Sequence, residues 1–190
     1  MNALDLLDLR WRPSPNHRSR NGHAVKLIVL HSDASHTLSG TIDWLSRPES
    51  KVSYHYSIGR TGHVYQHVKD DRSAWHAGKS DWRGETDGKG GVNDFSLGVN
   101  LSNRQDGTER YPEAQLDAAA RLVASLAIDH RIPASAITTH YLCARPLGRK
   151  HDPAPAEPSF DLMAFLDRVT QWAGKIHCDL LVGAETAEEP

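Results

Sequence analysis

Val25-Lys26-Leu27-Ile28-Val29-Leu30 is a nearly continuous apolar run that ends in a histidine, His31. A run of this length and make-up predicts a strand covered on both faces, the habit of central strands in layered α/β proteins. It holds His31 at its C-terminal end. The rest of the chain supplies partners for it. Ser53–Ile58 alternates like a strand, Gly59-Arg60-Thr61-Gly62 turns, and His63–Val68 alternates again, which predicts a β-hairpin. Ser96–Leu101 reads as another strand and Ile137-Thr138-Thr139 as a short extended piece. Helices are expected over 40–46, from Pro112 to about Arg131 with Leu116, Ala119, Ala120, Val123 and Ala127 on one face, and from Phe160 to Trp172. The fold class expected is α/β, a single domain with a central mixed sheet flanked by helices.

A chain of 190 residues suits one such domain with tails. Residues 1–23 interleave Arg10, Arg12, Arg18 and Arg20 with Pro13, Pro15, Asn16 and Gly22, and are expected to form a loosely packed N-terminal arm. The domain proper is expected over 24–176, followed by a flexible acidic tail, 177–190. Residues 77–94 are glycine-rich and predict a long loop, and 143–158 a proline-rich one. The net charge is −2, which argues against a general polyanion binder and so against nucleic acid. No apolar run approaches the ~18 residues that cross a bilayer, so membrane insertion is not expected. Two cysteines, Cys143 and Cys178, cannot build a disulfide framework. The first residues, MNALDLLDLRWR, carry acids inside a short apolar stretch and no small-residue cleavage site. They do not read as a secretory signal, and synthesis in a reducing cytoplasm is expected.

The chain has 12 histidines, and position decides which of them carry chemistry. His31 ends the apolar strand, and His140 follows Ile137-Thr138-Thr139. Asp152 lies in Arg149-Lys150-His151-Asp152-Pro153, a loop held by prolines. Two imidazoles and a carboxylate with one open position are the donor set of a catalytic zinc site. Spacing alone leaves open whether they are ligands or ordinary core residues.

Several ordered motifs resemble the N-acetylmuramoyl-L-alanine amidase type 2 family, which includes phage lysozyme-type amidases and peptidoglycan recognition proteins. They are Ile28-Val29-Leu30-His31-Ser32-Asp33-Ala34-Ser35, Val52-Ser53-Tyr54-His55-Tyr56-Ser57-Ile58, and Gly62-His63-Val64-Tyr65-Gln66. Further along come Ser73-Ala74-Trp75-His76-Ala77-Gly78, Ser96-Leu97-Gly98-Val99-Asn100-Leu101, and Thr139-His140 followed by Gly148-Arg149-Lys150-His151-Asp152-Pro153. The likeness spans roughly residues 25–165.

The resemblance implies one Zn²⁺ per chain held by His31, His140 and Asp152. It implies Lys150 as a charge beside the oxyanion of the reaction, and Tyr54 as a hydroxyl in the cleft. Trp75, His76 and Asn100 are expected at the substrate. His55 is expected to be structural, His151 to point away from the metal, and Cys143 to be a buried inert thiol rather than a rival ligand. Several family members carry a glutamate where this chain has Asn100, and an amide cannot act as a general base. That departure leans the expectation toward a phage- or prophage-type endolysin. The alternatives are a cytoplasmic muropeptide-recycling amidase and a non-catalytic peptidoglycan-binding module. The substrate implied is peptidoglycan or a muropeptide, acted on by a monomer. An endolysin would reach periplasmic or wall peptidoglycan after release.

Overall fold

The computed structural model describes residues 3–35, 37–85, 91–106, 108–153 and 160–185. Its strands are β1 (Leu9–Trp11), β2 (His17–Ser19), β3 (Leu27–Ser32), β4 (Tyr56–Ile58), β5 (Val64–Gln66), β6 (Arg72–Ala74), β7 (Ser96–Leu101) and β8 (Ile137–Thr139). The helices are α1 (Leu38–Leu45), α2 (Glu113–His130), α3 (His140–Cys143) and α4 (Leu162–Glu185). Six strands form a mixed sheet in the order β1-β5-β4-β7-β3-β8, and β2 pairs antiparallel with β6 in a second, two-stranded sheet. The apolar strand sits where its sequence requires, between β7 and β8 with every residue buried. The expected hairpin is β4–β5, the one antiparallel pair of the large sheet among the described residues.

Register explains how this sheet carries two different faces. Neighbouring strand residues alternate between faces, and paired residues share one. β3 and β7 pair Leu27 with Ser96, Val29 with Gly98 and His31 with Asn100, and β4 adds Ser57 opposite Asn100. That face of β7 is therefore small and polar. The other carries Leu97, Val99 and Leu101 beside Ile28, Leu30, Tyr56 and Ile58, all fully buried. α2 and α4 pack side by side, α2 against β4 and α4 against β8. The apolar core thus lies under the helices. No helix among the described residues is long and apolar enough to cross a membrane.

The N-terminal segment departs from expectation. Within the expected arm, 1–23, the described residues from 3 onward are not loose: β1 extends the large sheet in parallel with β5, and β2 builds the small one. Polar side chains anchor the segment where apolar ones could not. Asn16, buried, donates to the Arg47 carbonyl at 2.9 Å and to Ser50 Oγ at 2.8 Å. Arg20, also buried, donates to the carbonyls of Asp70 at 2.6 Å, Asp94 at 2.9 Å and Ser96 at 3.0 Å. A guanidinium satisfied by main-chain carbonyls is a rigid clip, and hydropathy patterning does not reveal it. At the other end α4 runs on to Glu185, so 177–185 is helix rather than a flexible tail. Residues 186–190 lie outside the described set.

Two buried histidines make this framework acid-sensitive. His67 Nδ1 lies 2.7 Å from the Arg12 carbonyl, and His55 Nδ1 accepts from the Gly98 amide at 2.9 Å. Burial pushes His67 down to about 4 and His55 to about 3, from an ordinary 6.5. Below pH 6.5 the unfolded chain protonates both while the native state does not, so stability falls as pH falls toward 4. Each such group costs about 1.4 kcal/mol per pH unit in that window, so the pair costs about 3 kcal/mol per pH unit. Urea-unfolding midpoints of the metal-free protein measured between pH 7 and 4 should drop steeply, and His67→Gln should flatten the slope. A pH-independent midpoint would contradict the assignment.

Candidate active site

His31 and His140 come together because β3 and β8 run parallel with Leu30 paired to Thr139. The next residue in each segment is the histidine, His31 within β3 and His140 opening α3, and the two ring centroids are 4.6 Å apart. Thr139 then caps α3, its Oγ1 accepting from the Leu142 amide, which turns the chain directly after His140. Asp152 returns in the loop beyond α3, where its main-chain carbonyl accepts from the Tyr141 amide at 3.0 Å. Its Oδ2 lies 3.1 Å from His31 Nδ1 and 3.0 Å from His140 Nδ1. All three residues are buried, and their donor atoms lie within 4.8 Å of one another.

The surrounding hydrogen bonds fix both ring tautomers. Ser96 Oγ donates to the Val92 carbonyl and so accepts from His76 Nε2, 3.2 Å away. His76 Nδ1 is then an acceptor, and it lies 3.0 Å from His31 Nε2, which must donate. On the other ring, His140 Nε2 donates to the Ala77 carbonyl at 3.0 Å. Both Nδ1 lone pairs are therefore aimed at one carboxylate oxygen. Burial first, and the charges of His140 and Lys150 with it, lower the His31 pKa to about 4 against the pull of Asp152, so that ring is neutral near pH 7. Nitrogen lone pairs facing a carboxylate oxygen at 3.0–3.1 Å repel it unless a cation lies between them. Nitrogen and oxygen donors at ~2.0–2.1 Å from a tetrahedral zinc stand roughly 3.3 Å apart, a few tenths from the spacing seen. The donor set and its fixed tautomers fit a metal ion.

The other expected site residues divide. Tyr54 stacks obliquely on His31 with ring centroids 5.1 Å apart and lines a surface pocket. Burial first, then the charges of Asp152 and Asp33, raise its hydroxyl pKa well above the ordinary value. Lys150 is exposed, and its charge reaches His31. Trp75 is half-buried beside Ser53, with no partner for its buried Nε1 among the described residues. His76 does not face a substrate: it is buried edge-on behind His31 and orients it. Gly98 is needed there, because a Cβ would stand 2.5 Å from the His76 ring.

Asn100 is fully buried too, so it offers no surface to a substrate. Its Nδ2 donates to Asp33 Oδ2 at 3.0 Å, leaving Oδ1 buried without a partner among the described residues. His55 holds the Gly98 amide, His151 is exposed, and Cys143 is a buried thiol that burial pushes up to about 11. Cys143 is not part of the metal-competent group. Sequence reasoning passed over Asp33, whose carboxylate also accepts from Thr41 Oγ1 at 2.6 Å and from the amides of Ser35 and Asn103, both at 3.2 Å. Its place two residues after His31 was the available signal, since alternate positions share a face.

Comparison with known proteins agrees with this architecture. Residues 21–155 match the profile of the family described as N-acetylmuramoyl-L-alanine amidase. The 1,6-anhydro-N-acetylmuramyl-L-alanine amidase AmpD of Citrobacter freundii is 32% identical over 185 residues, covering 87% of this chain and 92% of its own. The N-acetylmuramoyl-L-alanine amidase A of Achromobacter lyticus is 25% identical over 126 residues, covering 65% and 64%. A crystal structure of an AmpD derivative superposes with a TM-score of 0.69 at 31% identity, covering 86% of this chain and 96% of that one. With the family profile matched across most of the chain, and a relative about one-third identical over nearly its whole length, this protein belongs to the N-acetylmuramoyl-L-alanine amidase family of amide hydrolases.

Proposed function

We propose that this chain is a zinc amidase that cuts the bond between the lactyl group of N-acetylmuramic acid and the L-alanine of a stem peptide. The observation that carries the reading is the buried cluster of His31, His140 and Asp152, with both Nδ1 atoms 3.0–3.1 Å from Asp152 Oδ2 and all donor atoms within 4.8 Å of one another. His31, His140 and Asp152 would hold the ion. Zinc there supplies Lewis-acid polarisation of the scissile carbonyl and acidifies a water. Water oxygen bonds to the lactyl carbonyl carbon, the C–N bond breaks, and the alanine nitrogen leaves as an amine with the proton. Tyr54 and Lys150 flank the carbonyl oxygen and stabilise its negative charge as the carbon becomes tetrahedral. His76 keeps the His31 ring oriented throughout. Asn100 takes no proton.

The preferred substrate is a soluble muropeptide rather than intact wall. The supporting likeness is to AmpD proteins, named for a 1,6-anhydro-muramyl substrate, at 31–32% identity. An endolysin from Bacillus subtilis shares the fold at 20% identity. The endolysin reading expected from Asn100 is therefore the second choice. Mass spectrometry of digests decides between them. Purified enzyme should release free stem peptide from 1,6-anhydro-muropeptide at least tenfold faster than from intact sacculi. Faster release from sacculi would restore the endolysin reading. Zinc and wall binding with no release from either would favour a non-catalytic binding module.

A further inference from the structure

The two imidazoles of the metal-competent trio are held from behind by one dipeptide. The His76 ring lies against His31, and the next carbonyl, that of Ala77, accepts from His140 Nε2 at 3.0 Å. The orientation of both rings therefore depends on where a single stretch of main chain, 76–77, is placed. His76 and Ala77 are buried, and neither belongs to a strand or helix that would fix it. Their amides enter no main-chain hydrogen bond among the described residues. Both donate instead to one side-chain atom, Asn93 Oδ1, at 3.1 Å from His76 and 2.8 Å from Ala77.

Successive amides that converge on one point make a nest, a concavity suited to an anion. Here a neutral amide oxygen fills it, and its two N–H donors fix which end of the Asn93 amide faces them. Asn93 is itself buried, in the short turn Gly91–Asp94 that runs into β7. Its main-chain carbonyl accepts from Ser73 Oγ at 3.0 Å and from Arg20 at 3.4 Å, which ties the turn to β6 and to the N-terminal segment. The Ala77 carbonyl also accepts from Ser80 Oγ at 2.7 Å and from Arg149 at 3.4 Å. Those donors reach Ala77 alone, and Ser96 reaches His76 alone. Among the described residues, Asn93 is the one whose side chain bonds both members of the pair.

Resting on the zinc reading above, we propose that Asn93 is a positioning residue for the metal site, setting His31 and His140 together although it bonds to neither. It acts on His31 through the His76 ring and on His140 through the Ala77 carbonyl. The test needs no turnover. In the metal-free full chain, the ring-nitrogen shifts of ¹⁵N-labelled histidines report which nitrogen of each ring carries the proton. The parent should show His31 and His140 both protonated at Nε2. Asn93→Ala should turn both into tautomer mixtures. It should also lower Zn²⁺ affinity about 10- to 100-fold, the scale of losing a supporting partner, as read by competition with a chelating dye. Asn93→Ser keeps a polar side chain too short to reach both amides, and should give the same change if Asn93→Ala fails to fold. Asn93→Asp keeps an oxygen at the same reach, and should recover the parent's ring shifts and most of its affinity. His67 is the internal control, because its Nδ1 is held at the Arg12 carbonyl, outside this set of contacts.

Unchanged rings and affinity in the folded alanine or serine variant would overturn the proposal. A change at His31 without one at His140 would mean that other donors place the Ala77 carbonyl, and would overturn it as well. So would disturbance of His67, or failure of Asn93→Asp to restore the rings, since either marks a general structural role. A parent that binds no Zn²⁺ would refute the zinc reading, while the ring shifts of the metal-free chain would still decide what Asn93 does.

Discussion

Replacing His140 with alanine should strip the metal from the protein and reduce hydrolysis to background, with the fold retained. The fold should survive because α3 is only four residues long and its cap is Thr139, not His140. The metal should go because two of three donors cannot match the affinity of the complete set. Chelation of the parent should have the same effect, and added Zn²⁺ should reverse chelation but not the substitution. A graded series sharpens the test. His76→Phe removes the acceptor of His31 Nε2 without touching the donor set. Loss of such a supporting partner typically costs about 10- to 100-fold in metal affinity, so this variant should sit between parent and His140→Ala. His151→Ala should bind metal like the parent, because that side chain is exposed and outside the group. Metal content by mass spectrometry and Zn²⁺ affinity by competition with a chelating dye give the measurements. A chelator-resistant enzyme without bound metal would refute the reading.

The contrast between His76 and His151 also shows what the sequence could and could not disclose. β3 was legible because a continuous apolar run has one economical burial, at the centre of a sheet, and β7 and β8 because their short β-compatible stretches could pair with it. Their C-terminal ends then delivered His31 and His140 to adjacent positions. His76 was harder, since it precedes a glycine-rich loop and resembles a substrate contact. Only the register of β7, which places Ser96 and Gly98 on the His31 face, reveals the space made for its ring. Asn100 misleads for the same reason, because a polar residue at a strand end reads as exposed until the neighbouring strand brings Asp33 over it. The N-terminal segment was illegible in a different way. Its order comes from Asn16 and Arg20 bonding to distant carbonyls, contacts with no sequence period. Part of the acidic C-terminal stretch proved helical because α4 continues past Trp172 to Glu185.

Lys150→Ala should lower kcat by roughly 10²–10³ while KM, metal content and stability change little, the scale of losing one oxyanion donor. The reasoning starts from where the charge sits. Lys150 is exposed on a loop whose next anchor, Asp152, is buried in the trio, and its charge acts on His31 without supporting the fold. An exposed cation is nearly neutral in stability. The same cation gains strength when substrate closes over it and water leaves, because the interaction is no longer screened. It faces the scissile oxygen most strongly once that oxygen carries full negative charge, so its loss should appear in kcat rather than in binding. Lys150→Arg should recover only part of the rate, since a planar guanidinium on a longer stem does not place its charge where the ammonium was. Tyr54→Phe provides the internal comparison. If Tyr54 and Lys150 serve one oxyanion, the double variant should lose less than the product of the two single losses. Strict multiplicativity would place them on separate steps, and an unchanged kcat for Lys150→Ala would remove the lysine from the reaction altogether.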